Sequence, residues 1–271
     1  SRGLGDVYKR QVTEWLLSQF STIDEVKAAL SSVRVVGLET TAVVHWRIGE
    51  PSGRQVVLEI VGGVPHFYEN KVGVLTNAPG FEWQLINLNN YVNLHPGDAS
   101  VQKLSGITLQ PTGSNSGFLG IPGDATPPSR FVRAAFVKLN SRSAEGEKES
   151  VSQFFHILGA VEQQRGCCEV AEGKYEITIS TSCCSAETGT YYYTTYENHQ
   201  ITAVDMKKEE IRALEDAGIP HPRAVGLIET REESGSNDLE HYLKKNAERF
   251  GSPRLVCVLD SGAGNYEQLW L

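Results

Sequence analysis

The tightest constraint on the fold of this chain is a pair of alternating stretches with almost nothing between them. Residues 190–196 and 200–205 alternate as strands do, and only Glu197, Asn198 and His199 separate them. Successive strand side chains point to opposite faces, so alternation marks a half-buried strand. A turn through Asn198 fits so short a connection, and strands joined that way are antiparallel. Residues 175–180 alternate too and are read as a third strand. The sequence predicts an α+β protein with antiparallel sheets, because runs of strands and runs of helices follow one another in it.

The rest of the chain supports that class. Thr22 and Glu25 are spaced as a capping box and open a helix over 22–30, with Ile23, Val26 and Leu30 on one face. Residues 41–48 and 55–61 read as strands around the Pro51-Ser52-Gly53 turn, and 65–68 and 73–76 continue the meander. A short helix fits 81–91, and 113–123 is a Gly/Ser/Pro loop. Pro127 and Pro128 open a helix through 139, 140–149 is a polar surface loop, and 151–161 is helical. After Lys207 the pattern becomes strand–helix–strand, with strands at 224–228 and 255–259, and such a βαβ unit is parallel. Residues 12–210 and 211–271 therefore read as two unrelated pieces. Residues 1–11 (SRGLGDVYKRQ) resemble a translated sequencing adaptor and are set aside, the plainer reading being an ordinary tail.

Composition excludes several classes. With 40% apolar and 21% charged residues, the 271-residue chain is globular. A net charge of -8 argues against general electrostatic binding to nucleic acid or to an anionic membrane. No run of about 18 apolar residues reads as a membrane span. Cys167, Cys168, Cys183, Cys184 and Cys257 lack zinc-site spacing and read as reduced thiols, which places the expected compartment in the cytoplasm.

Two polar residues carry candidate chemistry. Asn77 follows a strand pattern and precedes Ala78-Pro79, so its carboxamide N–H is held at a strand end, where it can stabilise an oxyanion. The plainer alternative is an Asn capping its own turn. Arg130 falls in the first turn of a helix, where a cation opposes the dipole. That suggests a task for Arg130, such as pairing a buried carboxylate or polarising a nucleophile, and the alternative is a surface Arg.

The run Gly73-Val74-Leu75-Thr76-Asn77-Ala78-Pro79-Gly80-Phe81-Glu82-Trp83 leads into Asn87-Leu88-Asn89-Asn90-Tyr91. Leu119-Gly120-Ile121-Pro122-Gly123-Asp124, Thr126-Pro127-Pro128-Ser129-Arg130-Phe131, Ser182-Cys183-Cys184 and Tyr191-Tyr192-Tyr193-Thr194-Thr195-Tyr196 come later. In this order they closely resemble the choloylglycine hydrolase family of bile salt hydrolases and penicillin V acylases, over about 12–210. The resemblance implies an N-terminal-nucleophile hydrolase with an αββα sandwich, here partial, that cleaves linear amides without a cofactor. Its nucleophile is a Cys at the processed N-terminus whose own amine acts as base. It implies Asn77 as an oxyanion-hole donor and Arg130 as support for the nucleophile. The family's N-terminal Cys, the Arg and Asp near it and a second oxyanion Asn have no counterpart here, so the chain is expected to be inactive alone. The implied partner is a small amide, either a conjugated bile salt or penicillin V, with homo-oligomer formation left open. The tyrosine strand and the adjoining Cys doublet look more like the bile-salt type.

Glu232-Glu233 and Asp260 stand at the ends of the two predicted parallel strands and would converge at one sheet edge. Paired acids there suit a metal ion and a base for metal-bound water, and the plainer reading is a solvated acidic loop. The stretch 211–271 resembles zinc-dependent dipeptidases of the M20 peptidase family. That resemblance implies Glu232 as general base and Glu233 and Asp260 as zinc ligands. The remaining family ligands are absent, so zinc would be held weakly if at all. A non-catalytic binding protein is the further alternative for the whole chain.

Overall fold

The computed structural model describes residues 12–208, apart from 14, 18, 34–44, 51, 144, 186 and 207. The predicted βαβ unit lies outside the described residues.

Helix α1 (Ile23–Leu30) starts where the capping box places it. The Thr22 hydroxyl accepts from the Glu25 amide at 3.3 Å, and the Glu25 carboxylate accepts from the Thr22 amide at 3.1 Å. Ile23, Val26 and Leu30 are buried as their spacing predicts. Strands β1 (His45–Gly49), β2 (Gln55–Val61) and β3 (Val64–Glu69) form an antiparallel sheet in that order. The central strand β2 is covered on both faces. Leu58 packs with Leu16, Val26 and Leu30, joined by Trp46, Ile60 and Phe67. Val57, on the opposite face, packs with Phe81 and Phe131, joined by Tyr68.

Helix α2 (Phe81–Asn87) and a 3-10 turn (Leu88–Tyr91) follow, as the sequence predicts for 81–91. Helix α3 (Pro127–Asn140) lies against α2 through the Phe81–Phe131 edge-to-face pair at 6.0 Å. Helix α4 (Glu147–Gly159) starts inside the stretch predicted to be a surface loop. Its first residue, Glu147, accepts from the Tyr192 and Thr188 hydroxyls at 2.9 and 2.8 Å. Before α3, β4 (Gln102–Leu104) and β5 (Ile107–Leu109) form a hairpin, and after α4, β6 (Glu169–Ala171) and β7 (Lys174–Tyr175) form another. The second three-stranded sheet has β8 (Ser180–Ser185), β9 (Thr190–Thr195) and β10 (Thr202–Asp205) in the order β10-β9-β8, all antiparallel. The hairpin through Asn198 thus stands as predicted. None of Cys167, Cys168, Cys183 and Cys184 forms a disulfide.

Two expected strands are absent. Residues 73–76 run as irregular backbone because buried Asn70 takes the groups a ladder would use. Its Oδ1 accepts from the Gly73 amide at 2.7 Å and its Nδ2 donates to the Val74 carbonyl at 3.2 Å. Residues 176–179 are likewise irregular. The Glu176 amide donates to Cys168 O at 2.8 Å and the Thr178 amide to Gln163 O at 3.0 Å, so pairing resumes only at Ser180.

Candidate active site

The turn after residues 73–76 carries Asn77, and the start of α3 carries Arg130. The fold brings the two together: Arg130 Nη2 donates to Asn77 Oδ1 at 2.9 Å. A guanidinium only donates, so it is the carboxamide oxygen of Asn77 that faces it. The Nδ2 donor of Asn77 is thereby turned away from Arg130, and among the described residues it donates to none. A carboxamide whose oxygen is clamped and whose N–H2 is available is suited to receive developing negative charge.

Several groups hold this pair. Arg130 is only 7% exposed, and its Nε donates to the Ala125 carbonyl at 2.9 Å. Burying the cation in the first turn of a helix is unfavourable on both counts, and these acceptors offset it. Thr76 Oγ1 donates to the Pro127 carbonyl at 3.1 Å, which joins the residue before Asn77 to the first residue of α3. Lys138, three turns further along α3, donates to the Val72 carbonyl at 2.7 Å. Gly73, at φ +67°, gives the ammonium room, since a Cβ there would overlap Lys138 Nζ. Buried Gln84 on α2 has its Nε2 3.5 Å from Thr76 Oγ1 and from the carbonyls of Asn77 and Pro79.

The start of α3 is set by Asp124. Its carboxylate accepts from the Ser129 hydroxyl at 2.6 Å and from the Thr126 amide and hydroxyl at 2.9 and 2.5 Å. The Ser129 bond, then those of Thr126, hold the Asp124 carboxyl down at about 2. Cys168 also feels the charge of Arg130, but desolvation and the Glu176 carboxylate outweigh it and push the thiol upward. This is opposite to the lowering that activates a cysteine nucleophile.

Of the residues singled out from sequence, Asn77 and Arg130 meet. Glu232, Glu233 and Asp260 lie outside the described residues. No group of three or more His, Cys, Asp or Glu among the described residues could hold a metal ion, and no described helix is long and apolar enough to cross a membrane. Sequence reasoning missed Gln84, Asp124 and the buried Glu59. Glu59 had a signal, a lone acid in the apolar run Val56-Val57-Leu58-Glu59-Ile60-Val61.

Comparison with known proteins shows the family. The profile of the linear amide C-N hydrolases, choloylglycine hydrolase family, matches residues 3–219. A bile salt hydrolase/transferase of Lactiplantibacillus plantarum is 44% identical over 215 residues, which cover 78% of this chain and 66% of that protein. One from Clostridium perfringens is 40% identical over 204 residues, 73% of this chain and 61% of that protein. The crystal structure of a variant of the conjugated bile acid hydrolase from Clostridium perfringens superposes with a TM-score of 0.61 at 38% identity, covering 72% of this chain and 61% of that one. Penicillin V acylase from Agrobacterium tumefaciens shares the fold at a TM-score of 0.54 and 18% identity, covering 72% of this chain and 55% of that one. The chain spans less than two thirds of the length of these relatives.

Proposed function

The chain belongs to the choloylglycine hydrolase family of linear amide C-N hydrolases, and from that premise we propose that it carries the oxyanion-stabilising part of a bile salt hydrolase. The observation that carries this reading is the Arg130–Asn77 hydrogen bond, which joins two motif residues 53 positions apart. In the complete enzyme the N-terminal cysteine thiolate attacks the amide carbonyl, and the carbonyl oxygen becomes an oxyanion. Asn77 Nδ2–H donates to that oxygen. Arg130 is the positioning residue behind Asn77. It holds the carboxamide in one orientation before the charge develops, so no reorganisation is needed in the transition state. The substrate favoured is a bile acid conjugated through an amide, because the relatives of 40% identity and more are bile salt enzymes, whereas the penicillin V acylase stands at 18%.

Desolvation and the Glu176 carboxylate raise the Cys168 thiol, which argues against it as an internal nucleophile. The test is to assay the chain alone and the chain joined to a family N-terminal segment that begins with a cysteine. The joined enzyme is expected to release glycine or taurine from conjugated bile salts faster than it opens the side-chain amide of penicillin V, and the chain alone is expected to release neither. Turnover by the chain alone, abolished by a thiol alkylator, would show an internal nucleophile and overturn the reading.

A further inference from the structure

We propose that Glu59, backed by His45, is a positioning residue for the Asn77 turn. Glu59 lies in the middle of β2, 3% exposed, where a carboxylate is costly to bury unless it is paired. Its Oε1 accepts from the Phe81 amide at 2.7 Å and from His45 Nδ1 at 3.2 Å. Phe81 is the first residue of α2 and stands four positions after Asn77. The contact extends along the turn, since a Cβ on Gly80 would lie 3.0 Å from Glu59 Oε2. A carboxylate in the sheet thus pins one end of the segment 77–81, while Arg130 holds the Asn77 side chain at the other.

A purely structural role explains this arrangement poorly. A buried, hydrogen-bonded carboxylate is often no more stable than an apolar side chain of the same volume, and β2 from Val56 to Val61 is otherwise apolar. The pairing also leaves His45 Nε2 buried with no partner among the described residues. A carboxylate only accepts, so Nδ1 carries the proton facing Glu59 and Nε2 is the orphan. Charge-assisted hydrogen bonds are short and directional, which suits a group whose task is to fix the position of an amide. The groups facing Glu59 are its cross-strand partners, His45 on β1 and His66 on β3, and Tyr68 nearby on β3. Burial pushes the Glu59 carboxyl up, but the bonds from His45 and Phe81 prevail and hold it below the ordinary carboxylate value.

The assignment rests on Asn77 being the oxyanion donor, and its test reads the geometry at Asn77 rather than turnover. In nuclear magnetic resonance spectra of the whole chain, the Phe81 amide proton is expected far downfield at neutral pH. On acidification it should move upfield with the midpoint of the Glu59 carboxyl, and the Asn77 side-chain amide signals should move with it. Glu59→Gln at neutral pH should reproduce the low-pH positions and speed Phe81 amide exchange by about tenfold or more, as loss of a bond to a charged group requires. The Glu25 amide in the capping box of α1 should stay where it was in Glu59→Gln. Asn77 signals that do not move while Glu59 titrates would overturn the proposal, and so would a folded Glu59→Gln chain with Asn77 unchanged. If Glu59→Gln does not fold, the titration of the unsubstituted chain decides alone. A chain that hydrolyses no amide leaves this test standing, and failure of this test leaves the hydrolase reading standing.

Discussion

Arg130 sits where two penalties add, in the interior and at the positive end of a helix dipole. It is retained there by acceptors that a lysine could not serve together. The planar guanidinium reaches the Ala125 carbonyl through Nε and Asn77 Oδ1 through Nη2, while an ammonium is a single point of donation. Arg130→Lys is therefore expected to destabilise the chain, and Asn77→Ala should add little to it. Residues sharing one contact couple by roughly 0.5–3 kcal/mol in a double-mutant cycle, and denaturant melting of both single variants and the double variant measures this. Stabilities that add independently would mean the pair does not act as a unit. Sequence alone could name the two residues only through their motifs. They are 53 positions apart, and nothing in the periodicity of either segment says that a turn and a helix start will meet.

Among the elements, legibility followed how local the determining interaction is. The capping box of α1 lies within four consecutive residues, and the helix starts where it says. The hairpin of β9 and β10 was legible because its turn is short. Residues 73–76 misled because the strand-like pattern Val74-Leu75-Thr76 says nothing about where Asn70 puts its side chain. That side chain substitutes for a ladder and so creates the bend that presents Asn77. The hairpin of β4 and β5 left no apolar alternation, since all six strand residues are exposed. Its signature lies in the turn, where Ser105 and Gly106 both take positive φ, as a two-residue hairpin requires. Asn70→Ala is expected to leave the Gly73 amide and the Val74 carbonyl unsatisfied, at about 1–3 kcal/mol. Thermal melting measures the loss, and an unchanged midpoint would mean that the bend is held by Lys138 and Gly73 instead.

For the whole molecule, the family accounts for the mixed architecture of helices and antiparallel sheets. The β1–β3 sheet, the β9–β10 hairpin and the apolar faces packed on the first sheet follow from alternation and were readable along the chain, whereas β8 starts at Ser180, where the strand expected at 175–180 should end. The supports of the Asn77 turn were not readable, because Glu59, Gln84 and Asp124 act through polar contacts to the turn, to groups distant along the chain or at one helix start, which leave no periodic trace. The central claim is that Asn77 stabilises the transition state of amide cleavage, and it concerns rate rather than affinity. Interactions made only in the transition state lower kcat, whereas interactions made equally with bound substrate raise KM. The most direct measurement is steady-state hydrolysis of a taurine-conjugated bile salt by the joined enzyme, with and without Asn77→Ala. A fall in kcat of about a hundredfold with KM little changed is the predicted result, the size expected for losing one oxyanion donor. An unchanged kcat, or a loss confined to KM, would contradict it.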